Sequence, residues 1–538
     1  MRDPSGCTHR FLLQHGLIAA SVFTRDSGYA ANAAVILANR PEVRSGKSRR
    51  HDMDVMISNH EKVRSHPTAD DRSLPVSYGS LLQFPENPIA CMKRLHAEFG
   101  EVAVLEDDGR RLVFVFSPEM NRQVLTDSET FHSRFFAVRG GRRSAQRRVT
   151  SGLLSQNNTA HRDARRMMME VFTKRMLPEF HETISHLTVD MMESWKPGDV
   201  QDLNGEMVKL MLRMTSAVLF GIDDEAYSVE LGEKIDRWVR WNHEVGMGAM
   251  VSSRRYADGY ESLLAMADEL ELSVREMFDR HRQGNGDQVN ILNLLLRAQE
   301  QNTGLTDDQL VGHVTLLFAA AHLTTAHTLT WTLLLLAQHP EVMAKLRTEL
   351  DCNTDTLTPG FDEIESLTYL DQVIRESMRV LPASSYSQRV CTQAVQLGPL
   401  SLAPMTPVIF SQFITHHDPV LYPNPDEFQP QRWDSTTPTS YEYLPFGAGP
   451  RRCIGAPLAM VELRTALTVM LRRFHFGLLP GSIVNGQVVS TMLGPTTTVP
   501  AQLMSTGSIP ETVPITGTIR DLVRLPPAVF PDSRRAAA

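Results

Sequence analysis

The sequence predicts a mainly α-helical fold with a small β-rich subdomain, on three observations. An apolar run from Leu305 to Gln338 is long enough for a helix that crosses the molecule, amphipathic helical segments recur along most of the chain, and strand-like pairs are few and short. The 538 residues, 42% of them hydrophobic, suffice for one large core or two to three ordinary ones, and nothing repeats as it would in a solenoid. A net charge of −8 and a pI near 6.2 give no reason to expect nucleic-acid binding. Five cysteines, Cys7, Cys91, Cys352, Cys391 and Cys453, lie without paired spacing. That sparse, odd count suits a reducing, cytoplasmic compartment rather than a disulfide framework. No stretch reaches the roughly 18–20 apolar residues of a membrane span, the run Gly16 to Phe23 being far too short.

Residues 1–73 differ from the rest. The first 70 carry ten Lys/Arg against seven Asp/Glu and no sustained apolar period. They read as a poorly ordered extension; a targeting peptide, or a true start at Met53 or Met56, are the open alternatives. From Leu74 the pattern tightens. Pro88 to Phe99 and Pro118 to Thr126 read as helices, with Glu101 to Leu105 and Leu112 to Phe116 as a strand pair around Asp107-Asp108-Gly109. Phe131 to Ser155 is Gly- and Arg-rich without regular period. In Leu153 to Phe172, His161 and Arg165 are four apart on a helix, share one face and can reach one anionic target. Arg162 and Arg166 point elsewhere. Val200 to Arg282 is helical and Met-rich, which is most often core.

The longest helix starts at Thr306, a plausible N-cap with acids in the first turn, and ends before Pro340. Some thirty residues span about 50 Å, and a helix apolar all round must be central. Further helices are expected at Pro340 to Leu350, Leu367 to Leu381 and Ala456 to Phe476. Val408 to Phe413 is strand-like. Val488 to Leu503 reads as a hairpin with turn signals at Gly494-Pro495, and residues 506–538 as a peripheral Pro-, Thr- and Ser-rich tail.

One stretch carries chemistry. Phe446-Gly447-Ala448-Gly449-Pro450-Arg451-Arg452-Cys453-Ile454-Gly455 sets a lone cysteine on a glycine-rich turn just before a helix. Glycines let backbone N–H groups turn toward the sulfur, and the helix N-terminus adds a positive dipole end. The layout offers a deprotonated thiolate to a metal. A dinucleotide fingerprint fails here, because its third glycine would fall on Arg452.

The pattern Phe-x-x-Gly-x-Arg-x-Cys-x-Gly resembles the haem-binding loop of the cytochrome P-450 family. That resemblance, spread over residues 74–505, implies the haem-thiolate fold, one haem b, and a monooxygenase taking O2 and electrons from outside the chain. It makes Cys453 the axial ligand, pairs Arg451 with a haem propionate and packs Phe446 beside the sulfur. His161 and Arg165 match the family's propionate-binding pair, and Arg389, in Pro382 to Arg389, matches its third such basic residue. Glu376, Arg379 and Arg432 match a buried Glu-Arg-Arg network that serves folding. Ala320-Ala321-His322-Leu323-Thr324-Thr325 falls where the family has small residue, Gly, x, acid, Thr, Thr. Thr324 would then hold the water that supplies protons during oxygen activation.

Leu323 departs from that pattern and cannot relay a proton. His322 is a poor substitute, since two residues along a helix is about 200° around it. The resemblance also makes 131–155 a variable loop over the distal face, Asp236 to Arg254 part of a lid, and the hairpin tip a substrate contact. The lack of a membrane span points to the family's bacterial style. Met-, Leu- and Phe-rich channel segments favour a lipophilic small-molecule substrate. No flavin, nicotinamide or iron–sulfur pattern occurs, so a ferredoxin/flavoprotein reductase system using NAD(P)H is implied, docking near Arg162, Arg166 and Arg452. Peroxide-driven or oxygen-independent haem chemistry, and a non-enzymatic haem-thiolate sensor, are the alternatives.

Overall fold

The helix at the centre of the molecule spans Asp307–Gln338. In this computed structural model residues 75–527 are described, except 135–137, 170–171, 173, 222–224, 251–253, 284–289, 302–303 and 509–510. The extension expected over 1–73 and the last residues of the tail, 528–538, lie outside the described residues. A capping box starts the central helix: Thr306 Oγ1 accepts from Gln309 N, and the Gln309 side chain accepts from Thr306 N at 2.9 Å. Two N-terminal donors are thereby satisfied reciprocally. Pro340 opens the next helix, Pro340–Asn353, because it can begin a helix but not continue one.

From Leu310 to Gln338 every residue is buried except Leu317, Ala319, Ala320, Ala321, Leu323, Thr324 and His327. The exceptions form one patch at mid-helix. Helices Leu203–Phe220, Glu225–Met250 and Ala456–Arg473 pack around the rest. The helix Glu225–Met250 forms a roof over the central helix and contains most of the segment expected as a lid, of which 251–253 lie outside the described residues. Its Trp238 is fully buried and donates from Nε1 to Gln146 Oε1 at 2.9 Å. That bond anchors the roof to residues 138–149. The stretch 131–155, expected to be irregular, contains a short helix, Ala145–Val149, capped by Ser144 Oγ accepting from Arg147 N.

The β-rich part is a six-stranded sheet in the order Val76–Tyr78, Val102–Asp107, Arg110–Val115, Pro407–Phe410, Ser387–Cys391, Phe131–His132. Its side chains alternate as a strand requires. Ala103, Leu105 and Phe114 enter the main core, whereas Val102, Val104 and Val113 join a smaller cluster with Met120 and Val124. Val200–Asp202, expected as helix, is a strand on Pro500–Met504.

The hairpin differs from expectation in its turn. Gly486–Val489 pairs with Met492–Pro495, so the chain reverses at Ser490-Thr491 and Gly494-Pro495 lies within a strand. The stretch expected as a peripheral tail also differs. Ile515, Ile519, Leu522, Val523 and Leu525 are all buried in the main core.

Candidate active site

The cysteine loop is fixed from both ends. Cys453 N donates to Phe446 O at 2.8 Å and closes the turn. Gly449 has φ +70, and a Cβ there would lie 2.3 Å from Leu125 O, so glycine alone lets the loop lie on the helix Pro118–Thr126. Cys453 Sγ opens into interior space at the N-terminal end of Ala456–Arg473. Burial pushes its thiol pKa up, against the N–H groups of Gly455 and Ala456 and the guanidinium groups of Arg165 and Arg452, which pull it down. The N–H groups do turn to the sulfur. Desolvation outweighs them. Phe446 is partly buried against the main core.

Four basic side chains converge beside this loop, brought by three separate segments. His161 and Arg165 come from Asn158–Met169, Arg389 from Ser387–Cys391 and Arg451 from the loop itself. Burial, then Arg451, Arg165 and Arg389, push the His161 pKa down to about 4. Burial and Arg451 bring Arg389 to about 9, and burial and Arg165 bring Arg451 to about 10. Among the described residues no carboxylate is named as acting on any of the three. Arg451 donates to Gln156 O and to Asn157 Oδ1, but its Nε has no partner among the described residues, and the guanidinium of Arg389 donates to Gln388 O at 2.9 Å and lies over the Phe410 ring. Three half-buried guanidinium groups with unused donors, beside a buried neutral imidazole, suit an anion.

On the other side stands the open patch of the central helix. Thr324 Oγ1 donates to Ala320 O at 3.1 Å, the back-bond a helical threonine makes by default. Thr325 Oγ1 donates to Glu462 Oε2 at 3.3 Å. Burial raises the Glu462 pKa to about 8, with Thr325 opposing. His322 turns away from Thr324, as its helical position requires. Its Nδ1 is 3.2 Å from Phe318 O and its Nε2 3.5 Å from Asp236 Oδ1 on the roof helix. Sequence reasoning missed Asp236, Glu462, His327 and His243. A charged or imidazole side chain inside an otherwise apolar helical stretch was the available signal.

The family model described as Cytochrome P450 matches residues 72–496. The chain belongs to the cytochrome P450 family. It is 27% identical over 444 residues to cyclooctatin synthase of Streptomyces melanosporofaciens, covering 79% of this chain and 94% of that one. Cyclooctat-9-en-7-ol 5-monooxygenase of the same organism is 29% identical over 419 residues, with 75% and 88% covered. Pentalenene oxygenase of Streptomyces avermitilis is 26% identical over 432 residues, with 78% and 93% covered. A retinoic acid-bound cyanobacterial CYP120A1 superposes with a TM-score of 0.69 at 22% identity, over 80% of this chain and 99% of that one. The cytochrome P450 described here is thus a haem-binding monooxygenase with haem b as cofactor.

The P450 fold is tied together below the loop by the expected Glu-Arg-Arg network. Glu376 Oε1 lies 2.9 Å from Arg379 and 3.2 Å from Arg432, and all three side chains are buried. Arg379 further donates to His416 O, Pro425 O and Glu427 O, and Arg432 to Pro423 O. Such bidentate pairing leaves few buried donors unmatched. No helix among the described residues is long and apolar enough to cross a membrane.

Proposed function

We propose that this P450 inserts one oxygen atom into a lipophilic small molecule, with electrons delivered by a separate ferredoxin-type protein. The observation that carries the reading is the convergence of His161 and the half-buried Arg165, Arg389 and Arg451 beside Cys453, whose unused donors, with no acidic counter-charge named among the described residues, suit the propionates of a porphyrin. The residues present therefore fit haem b. Cys453 would ligate the iron, Arg389 and Arg451 would pair with propionates, and His161 and Arg165 would complete the anion site. Haem b, when bound, supplies the oxygen-activating iron and, through its thiolate ligand, electron density that favours O–O cleavage.

The chain's own groups do the rest. The buried flanks of the central helix and the roof exclude water from the patch around Ala320 and Thr324. Thr324 Oγ1, now bonded to Ala320 O, holds a proton that a water in the chamber can share. The apolar wall of Leu317, Ala320, Ala321 and Leu323 supports the lipophilic substrate, as do the terpenoid alcohol named for one relative and the pentalenene named for another. A cytoplasmic setting is supported by the four cysteines among the described residues, all free. Arg162, Arg166 and Arg452 are exposed, and form the surface on which an acidic donor protein would dock, with NAD(P)H as the electron source behind its reductase.

Three measurements test this. Cys453→Ser should abolish the red-shifted carbonyl band of the reduced protein, and a retained band would refute the ligand assignment. With a generic ferredoxin and ferredoxin reductase, NAD(P)H consumption should depend on substrate. Reversing Arg162 and Arg166 to Glu should raise the apparent Michaelis constant for the ferredoxin at low salt, and an unchanged constant would sink the docking surface.

A further inference from the structure

Ala320, Thr324 and His327 recur at i, i+4 and i+7 within the open patch of the central helix, so they look into the same interior space. The first two are what an oxygen-activating site over haem needs. The third is an imidazole with no task in the mechanism above. Neither of its ring nitrogens meets a protein hydrogen-bond partner among the described residues; Nδ1 is sealed from solvent, so Nε2 is the nitrogen that a ligand would meet. Leaving a buried polar group unpaired is costly, so native structures keep few without an occupant in view.

The place of the ring is built rather than accidental. Gly494 lies inside a β-strand, where glycine weakens pairing and commonly marks a close approach. A Cβ on Gly494 would come 2.2 Å from His327 Cε1 and 2.5 Å from either ring nitrogen, so the strand gives up a side chain to admit the imidazole. Trp331, one turn further along the helix, donates from Nε1 to Leu493 O at 3.2 Å and fixes the hairpin against the helix. At the hairpin turn, Ser490 Oγ lies 3.0 Å from His243 Nδ1 of the roof helix, so the chamber is closed on that side by a second polar pair. Burial, helped by His322 and Arg240 and opposed by Asp236, brings His327 to about 4. At neutral pH the ring is therefore uncharged, with one nitrogen donating and one accepting.

We propose that His327 anchors an oxygen function, a hydroxyl or carbonyl, on an otherwise apolar substrate, so that this P450 acts on molecules already oxygenated once. The idea rests on the lipophilic-substrate reading above and narrows it. A preceding hydroxylation or a water-quenched cyclisation would be the class of reaction that supplies such a substrate. An apolar chamber alone rejects a missing or added hydroxyl weakly, whereas a buried polar group left unpaired by the wrong ligand discriminates strongly.

The test is a spin-state titration of the holoenzyme with matched pairs: cedrene and cedrol, camphane and borneol or camphor, androstane and androstan-3-ol. At least one oxygenated member should bind tenfold or more tightly than its hydrocarbon. In His327→Leu that ratio should fall below twofold, while hydrocarbon affinity stays within twofold of wild type. His327→Gln, which keeps a donor and an acceptor, should retain part of the preference, and it decides the matter if the leucine variant does not hold haem. Equal binding of both members by the wild type, or an undiminished preference in either variant, overturns the role of His327 and leaves the monooxygenase reading standing. If no member of any pair shifts the spin state, the lipophilic-substrate reading fails and this inference falls with it.

Discussion

Asp236 Oδ1 on the roof helix lies 3.5 Å from His322 Nε2 on the central helix, with the two side chains only 11% and 3% exposed. Burial acts to raise the Asp236 pKa, and the neighbouring His322 and Arg240 outweigh it, holding the carboxyl below its usual value. The roof is thus latched to the helix beside Leu323, where the family carries its acid.

Breaking this latch should cost stability. Asp236→Asn is expected to destabilise the protein by about 3 kcal/mol at pH 7, the usual cost of removing one partner of a buried pair. A depressed carboxylate stabilises above its unfolded pKa and ceases to do so as pH falls through the folded one. The gap between variant and wild type in denaturant unfolding should therefore narrow below pH 4. A gap constant from pH 7 to pH 4 would show that Asp236 acts by shape alone.

Glu462 should behave oppositely. Its folded pKa, raised to about 8, means that the native state keeps a proton the unfolded chain releases above about 4.5. Stability should fall as pH rises through that window. Glu462→Gln keeps the bond from Thr325 and removes the titration, so its melting temperature should exceed that of wild type by more at pH 8 than at pH 6. Parallel pH profiles would falsify the burial argument.

Arg389 and Arg451 should show a trade between two states. Without an anion their mutual repulsion and burial are a liability, so Arg389→Leu and Arg451→Leu should raise the melting temperature of the haem-free protein. Each should also speed haem transfer to apomyoglobin by about tenfold or more, since a hydrogen bond to a charged partner contributes roughly 1.5–3 kcal/mol. Faster loss without apo stabilisation would mean that the arginines serve packing rather than charge.

Thr324→Ala should raise peroxide released per NAD(P)H consumed, because a positioned proton donor is lost from the oxygen-activating side. Thr324→Ser should restore coupling. If wild type already leaks as much as the alanine variant, the back-bond to Ala320 O is the hydroxyl's whole role.

The sequence made some of this legible and hid the rest for physical reasons. The central helix could be read because its cap at Thr306 and its stop at Pro340 are local. The site residues could be placed on elements because the loop around Cys453 has a rare pattern of residue types. The hairpin turn was misplaced because Gly494-Pro495 carries turn residues, while its glycine answers a tertiary neighbour, His327, 167 positions away. Asp236 and His322 were invisible as a pair for the same reason. The extended Val200–Asp202 follows from a partner strand near residue 501, which no local pattern announces.

The stretch 511–527, whose Ile515, Ile519, Leu522, Val523 and Leu525 are buried in the main core, bears on what backs the chamber. The match to the family model stops at residue 496, yet Thr516 N donates to Ser482 O, Val484 N to Thr516 O and Arg524 N to Asp426 O. Leu522 lies so close to Gly486 that a Cβ there would sit 2.7 Å from its methyl and 3.4 Å from the Trp331 ring. The final segment is a strap behind the hairpin that seats Gly494 on His327. A gene shortened to the homologous boundary would keep the loop, the cations and the central helix, yet lose the backing of the wall that shapes the chamber.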